Sequence, residues 1–269
     1  MIFPFKTIRL TSEKGVYTLT LNRPEAKNAL NRLMISEMTE AVMEAADNST
    51  ARLLVFDHEG DVFCAGADLT DLSESTSREE GLQYARLLFD LLESIEKCPF
   101  PVIVSAHGNV YGGGIGILAA ADISFLTENC RLCFSEVKIG MVPAVISAFV
   151  LRKVSSGRAR ELMLTAREFD AREALEYGIV SFVISPENEK KHLDTILQSL
   201  LSNKQKAMAA CKNMIFTTSR ISWLGAVKEY STSLFADLLL AQEAREAIAS
   251  FVERKKQIGG KQNVKNRKK

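Results

Sequence analysis

The chain has 269 residues, 46% of them apolar, and its 34 basic side chains stand against 33 acidic ones. This size and composition suit one large domain, or a domain with a helical appendage, built around a sizeable core. Seven of the 34 basic residues lie in residues 255–269, so 27 basic residues face 33 acidic ones before them, and that mildly acidic body argues against a surface built to bind nucleic acid.

Short runs rich in β-branched and aromatic residues predict strands, and helical patterns lie between them. The predicted strands are 15–21, 52–57, 101–106, 121–126 and 179–184. One helical face is marked by Leu30, Met34, Met38, Val42 and Ala45, and a second by Leu82, Ala85, Phe89, Leu92 and Ile95. Strands that alternate with helices predict crossover units and a largely parallel sheet.

After residue 185 the pattern is helical throughout. We predict helices at about 187–201, 203–218, 222–240 and 241–256. The predicted organisation is therefore an α/β core over residues 1–185, a helical subdomain over 186–254, and a basic tail, 255–269, that we expect to be disordered.

Two turns rich in small residues are the candidate binding elements. In HGNVYGGGIGILAAAD, residues 107–122, the glycines Gly112, Gly113 and Gly114 stand between a predicted strand and an apolar helix. Such a turn lets main-chain amides approach an anion, although close helix packing alone also explains it. FCAGADL, residues 63–69, is a second such turn. One amide from each turn would form a site for a developing oxyanion.

The order and spacing of four motifs resemble the crotonase superfamily of enoyl-CoA hydratases and isomerases. The motifs are LNRPEAKNALN (21–31), FCAGADL (63–69), HGNVYGGGIGILAAADI (107–123) and SEVKIGMVP (135–143). The resemblance implies a spiral of ββα units followed by a helical trimerisation region, commonly a dimer of trimers. It implies an acyl-CoA substrate and no metal or redox cofactor.

The resemblance also implies roles for individual residues. Ala67 and Gly113 match the positions whose amides form the oxyanion hole. The CoA-binding positions are matched by Ala26, Lys27, Ala65, Ala67, Asp68, Leu69, Gly112 and Gly113.

Carboxylates decide the chemistry within this superfamily, and familiar hydratases have two glutamates. Here the first of those positions is Gly116 and the second is Glu136. Glu136 is the expected proton carrier, if burial raises its pKa. A solvated glutamate paired with Lys138 is the alternative.

One glutamate suits either water addition or a double-bond shift. The segments FSEVKIGMVPAVISAFVLRKV (134–154) and GGGIGILAAAD (112–122) resemble the corresponding segments of methylglutaconyl-CoA hydratases. The sequence therefore favours a hydratase over an isomerase. A non-catalytic acyl-CoA-binding or RNA-binding scaffold is a further alternative, with the basic tail as its RNA contact.

The remaining motifs predict structure more than chemistry. Ser105, His107 and Asp122 lie near the glycine turn, but no Gly-x-Ser-x-Gly motif accompanies them, so a nucleophilic triad is disfavoured. Cys130 and Cys133 form a lone CxxC and are expected to be buried thiols. The absence of a readable secretory signal or membrane-spanning segment predicts a cytoplasmic protein.

Overall fold

The computed structural model describes residues 5–75 and 77–219, together with Gln242. Its strands are β1 (Ile8–Glu13), β2 (Val16–Leu21), β3 (Leu53–His58), β4 (Val62–Cys64), β5 (Val102–Ala106), β6 (Asn109–Tyr111), β7 (Ile123–Thr127), β8 (Arg131–Cys133), β9 (Phe169–Asp170) and β10 (Phe182–Ile184). Its α-helices are α1 (Arg32–Asp47), α2 (Leu69–Ser73), α3 (Arg78–Lys97), α4 (Gly113–Ala120), α5 (Ala144–Val150), α6 (Ser156–Thr165), α7 (Ala171–Glu176), α8 (Glu189–Ser202) and α9 (Gln205–Thr218). Short 3₁₀ helices cover Pro24–Ala26, Glu136–Ile139 and Pro186–Asn188.

The strands form two sheets, and from β3 to β8 consecutive strands alternate between them. The larger sheet has the order β1-β2-β3-β5-β7-β10, and the smaller has the order β4-β6-β8-β9. The larger sheet is parallel from β2 onward, and only β1 runs antiparallel in it. Because the pairs β3–β4, β5–β6 and β7–β8 each place one strand in each sheet and lead into helices, the predicted spiral of ββα units is confirmed.

The larger sheet is covered on both faces, which explains why its central strands are almost wholly apolar. Leu54 and Phe56 of β3 belong to the main core. Their neighbours Leu53 and Val55 point to the opposite face. There they join a second cluster that packs against the leucines of α8, Leu193, Leu197, Leu200 and Leu201.

Of the two predicted helical faces, one is confirmed and the other is partly wrong. The residues predicted for α1 are buried, and Asn31 caps the helix by accepting from the Met34 N–H. In α3 the buried residues are Tyr84, Leu88, Leu91, Leu92 and Ile95. Phe89 is 39% exposed, and Leu82 and Ala85 are half-buried. The buried face is rotated because α3 packs against α1, α4 and α5 at once.

The helices predicted at 187–201 and 203–218 correspond to α8 and α9, whereas those at 222–240 and 241–256 lie outside the described residues, as does the tail 255–269. Contacts divide the chain into units of residues 1–205 and 206–269. The domain boundaries at 185 and 254 stay a prediction. None of the helices in the described part is long and apolar enough to cross a membrane. Cys130 and Cys133 are buried free thiols, as predicted.

Candidate active site

A cavity of about 440 Å³ lies in the first unit, between the two small-residue turns and helices α3 and α5. Its lining is mainly apolar. The lining residues are Ala65, Gly66, Ala67, Leu69, Leu72, Gly81, Tyr84, Ala85, Leu88, Gly112, Gly113, Ser135, Glu136, Lys138, Ile139, Met141, Val142, Pro143, Ala144, Val145 and Ile146. Of these described residues, Glu136 alone carries a carboxylate and Lys138 alone a cationic group. The cavity therefore offers one acid–base group in an apolar setting.

The turn of residues 65–68 is held by main-chain hydrogen bonds to Leu30. The Leu30 N–H donates to the Gly66 carbonyl at 2.8 Å, and the Asp68 N–H donates to the Leu30 carbonyl at 3.0 Å. The Tyr84 hydroxyl donates to the same Leu30 carbonyl at 2.8 Å. Ala67 lies between the two bonded residues, and its N–H donates to none of the described residues. This amide remains available to a ligand in the cavity.

The glycine turn brings a second free amide to the cavity. Gly112 has φ 46° and ψ −115°, a conformation that requires glycine, and its N–H donates to the Cys133 carbonyl at 3.1 Å. Gly113 is the first residue of α4, so its N–H has no partner within the helix and none elsewhere among the described residues. The turns touch, since a Cβ added to Gly112 would lie 3.5 Å from the Cα of Gly66. Two unused amides therefore come from adjoining turns.

Glu136 opens a 3₁₀ helix directly opposite the glycine turn. A Cβ added to Gly112 would lie only 3.0 Å from Glu136 Oε1. The other carboxylate oxygen, Oε2, is buried and receives no hydrogen bond from the described residues. Burial raises the pKa of this carboxyl above its ordinary value. The carboxylate is thus close to the glycine turn, poorly solvated and free to exchange a proton.

The alternative of a solvated Glu136 paired with Lys138 is wrong in this structure. Lys138 Nζ lies 3.9 Å from Cys133 Sγ, and no ion pair joins it to Glu136 within the described chain. Lys138 is exposed where Glu136 is half-buried. The two side chains therefore leave the same 3₁₀ helix in different environments.

Gly116 packs directly against side chains of the neighbouring helices α3 and α5. A Cβ added there would lie 2.6 Å from Ile146 Cγ2 and 3.1 Å from Leu92 Cδ1, both well inside van der Waals contact. All eight residues of α4 are buried. The position that carries the first glutamate in familiar hydratases is therefore filled by apolar side chains, and no second carboxylate replaces it among the described cavity residues.

The other predicted binding residues have different placements. Ala65, Leu69, Gly112 and Gly113 line the cavity with Ala67, whereas Ala26 and Lys27 do not. The Lys27 carbonyl instead accepts from the Ala65 N–H at 3.0 Å, which ties the segment around Lys27 to the first turn. Asp68 is also outside the lining. Its carboxylate caps α2 and forms an ion pair with Arg23 at 3.0 Å.

Ser105, His107 and Asp122 do not form a nucleophilic triad. The Ser105 hydroxyl donates to Glu189 at 2.8 Å, and the Asp122 carboxylate accepts from the Val102 N–H at 2.7 Å. None of the three lines the cavity. The structural roles expected for His107 and Asp122 agree with these contacts.

The residues that form the walls of the cavity were not identified from the sequence. Tyr84 and Leu88 project from α3, and Ile146 from α5. The spacing of Tyr84, Leu88, Leu91 and Ile95 follows a helical face and was a usable signal. No local pattern marks Ile146 as a neighbour of Gly116, because that contact joins two helices.

Comparisons with known proteins agree with the geometry. The Enoyl-CoA hydratase/isomerase family model matches residues 11–261. The mitochondrial Delta(3,5)-Delta(2,4)-dienoyl-CoA isomerase of Rattus norvegicus is 30% identical, over 93% of this chain and 81% of its own. A trans-2-decenoyl-acyl-carrier-protein isomerase of Streptococcus mutans is 28% identical, over 94% of this chain and 97% of its own. An enoyl-CoA hydratase structure from Shewanella pealeana aligns with a TM-score of 0.89 and 30% identity, over 93% of this chain and 95% of that one.

Proposed function

Because the chain belongs to the enoyl-CoA hydratase/isomerase family, we propose that it adds water across the α,β double bond of an enoyl-CoA. The observation that carries this proposal is the arrangement of Glu136 opposite two unused amides. Its buried Oε2 has no partner among the described residues, and the N–H groups of Ala67 and Gly113 are equally free. A base and an oxyanion site thus share one apolar cavity.

The two amides would bind the thioester carbonyl oxygen. Negative charge develops on that oxygen as water attacks the β carbon, and fixed N–H donors stabilise the resulting enolate. Loss of one such donor typically costs about 10²–10³ in rate. Ala67 is held by the Leu30 hydrogen bonds and Gly113 by α4, so both donors are in place before the reaction begins.

Glu136 would act as base and then as acid. Its carboxylate takes a proton from water while the water oxygen bonds to the β carbon, and it returns that proton to the α carbon of the enolate. Because burial raises its pKa, the protonated form of Glu136 is more accessible than that of a solvated glutamate. The Ser135 hydroxyl also lines the cavity, and a water molecule needs more than one polar partner to be held there. A single carboxylate therefore suffices for both proton transfers.

The acyl group would be a branched dicarboxylic one similar to 3-methylglutaconyl-CoA. This part of the proposal rests on the resemblance of residues 134–154 to methylglutaconyl-CoA hydratases, and Lys138 supports it. Lys138 lines the cavity and pairs with no carboxylate among the described residues. A substrate with a second carboxylate would supply the missing counter-ion.

A double-bond isomerase is the second candidate, and the packing of Gly116 favours it. Ile146 and Leu92 fill the place of a second glutamate. A 1,3-proton shift needs one base that removes a proton from one carbon and returns it to another. Glu136 and the two amides suffice for that reaction. Both of the relatives compared by sequence above are named isomerases.

The experiment that separates these candidates is turnover of crotonyl-CoA, 3-methylglutaconyl-CoA and a 3-enoyl-CoA, followed by mass spectrometry and NMR. A gain of one water by the branched thioester supports hydration. A moved double bond without a change of mass selects the isomerase. Tight binding of all three without turnover would contradict both and point to a scaffold.

We further propose that the protein works as a homotrimer or hexamer in the cytoplasm, without a metal or redox cofactor and without nucleic acid. These proposals rest on the family resemblance and the charge of the sequence. Light scattering tests the oligomeric state, metal analysis tests the absence of a metal, and RNA-binding assays test the absence of nucleic-acid binding.

A further inference from the structure

The two loops that lead to the oxyanion amides begin side by side. The first leaves β3 at His58 and reaches Ala67 through β4. The second leaves β5 at Ala106 and reaches Gly113 through His107 and β6. The two loops therefore share a common starting point at the end of the larger sheet.

At that point His58 and His107 are joined in two ways. The His107 main-chain N–H donates to His58 Nε2 at 3.2 Å. The two imidazole rings also stack, with centroids 3.7 Å apart and planes inclined by 20°. Phe63 also contacts His58 in a T-shaped arrangement, at a centroid distance of 5.4 Å. His58 is only 3% exposed, so it is fixed between the loops.

Strands β4 and β6 pair over only two residue pairs, so a further link between the two loops can affect their relative position. Only Val62↔Asn109 and Cys64↔Val110 are paired, and the register shifts between them. A two-pair ladder with a shift constrains sliding weakly. The His58 hydrogen bond lies before this ladder, at the start of both loops.

The charge state of His58 suits this contact. Its Nε2 accepts a hydrogen bond, which requires a ring nitrogen without a proton. Burial, followed by the neighbouring His107, lowers the pKa of His58 to about 4. The ring is therefore neutral at physiological pH.

Two carboxylates lie near the ring of His107. His107 Nδ1 lies 3.5 Å from Glu189 Oε1 and 3.9 Å from Asp57 Oδ1. Glu189 also accepts from the Ser105 hydroxyl at 2.8 Å. The N-terminal residue of α8 thus lies beside the ring that stacks on His58.

We propose that His58 is a positioning residue for the oxyanion site, whose imidazole fixes the spacing of the two loops so that the amides of Ala67 and Gly113 reach one oxygen. This role rests on the proposed assignment of those two amides. It does not depend on whether the enzyme hydrates or isomerises. It also does not involve Glu136.

The test compares His58→Leu with His58→Gln, whose amide oxygen can still accept from the His107 N–H. The probe is acetoacetyl-CoA, an enolisable thioester whose enolate absorbs in the near ultraviolet. His58→Leu should weaken the enolate band about tenfold at equal bound thioester, because an oxyanion donor is misplaced and not lost. It should lower kcat by a similar factor and leave KM nearly unchanged. His58→Gln should restore most of both readouts.

The matched control is His192→Leu. His192 packs edge-on against Phe125 of β7 and Phe182 of β10, which belong to neither loop, so this variant should show the full enolate band. Equal bands for wild type and His58→Leu, or equal losses in His58→Leu and His58→Gln, would overturn the positioning role. An enolate band in the wild type without turnover of any enoyl-CoA would contradict the proposed function while leaving this inference intact. No enolate band in the wild type would overturn the inference.

Discussion

Gly116 faces Ile146 so closely that a Cβ at position 116 would lie 2.6 Å from Ile146 Cγ2. The packing of α4 against α5 therefore leaves no space for a glutamate side chain at position 116. A second carboxylate cannot be restored by one substitution. Among the described cavity residues, Glu136 is then the one carboxylate available for the proposed acid–base chemistry.

Changing Gly116 to alanine should destabilise the protein because the new methyl group overlaps Ile146. We expect Gly116→Ala to lower the free energy of unfolding by about 1–3 kcal/mol, the usual cost of overpacking a core. In an Ile146→Ala background the same change should cost less, since the closest overlapping group, Ile146 Cγ2, is gone while Leu92 Cδ1 remains at 3.1 Å. Urea denaturation of the four chains measures this coupling. The same cost in both backgrounds would contradict the contact.

Removing the carboxylate of Glu136 should separate catalysis from binding. Glu136→Gln deletes a proton carrier but little volume, so kcat should fall by about 10²–10⁴ while the affinity for a non-reacting acyl-CoA changes little. Steady-state kinetics and calorimetric titration check the two parts. Glu187→Gln is the matched control, because Glu187 lies on the exposed 3₁₀ helix Pro186–Asn188 and should keep wild-type kinetics.

The raised pKa of Glu136 also predicts a dependence of stability on pH. Burial disfavours the ionised carboxylate in the folded state, so its cost is absent below the ordinary pKa of 4.5 and grows as pH rises through the higher folded value. Glu136→Gln should therefore match the wild type in Tm near pH 4 and exceed it near pH 7. Thermal unfolding across this range is the measurement. A Tm difference that is independent of pH would show that the carboxyl is not perturbed.

Lys138 should distinguish dicarboxylic from monocarboxylic acyl groups. Lys138→Met keeps most of the side-chain length and removes the charge, so KM for 3-methylglutaconyl-CoA should rise about tenfold, the size of a lost charge-assisted hydrogen bond. KM for crotonyl-CoA, which has no second carboxylate, should stay within about twofold. Parallel kinetics on both thioesters provide the internal control. Equal rises for both would assign Lys138 to the CoA portion instead.

Much of the fold was predictable because its central strands are long enough to carry a pattern. Each of the five predicted strands overlaps a strand of the larger sheet, and α1 has the predicted face. The strands of the smaller sheet have two or three residues, too few for a periodic signal. The face of α3 was assigned wrongly at Phe89 because three helices contact α3 and together decide what it buries.

The candidate site was predictable in its main-chain parts and less so in its walls. The glycine and alanine turns and the lone glutamate are recognisable in the sequence, and the family resemblance implies a role for each. The contacts of Gly116 with Ile146 and of His58 with His107 join residues 30 or more positions apart, so only the folded chain reveals them.

The most direct test of the central claim is the reaction of 3-methylglutaconyl-CoA in D₂O with the wild type and with Glu136→Gln, followed by NMR of the acyl carbons. The account predicts that the wild type places a hydroxyl on the β carbon and deuterium on the α carbon, and that Glu136→Gln forms almost no product. Wild-type rates of the same product with Glu136→Gln would contradict the role of Glu136 as the single proton carrier.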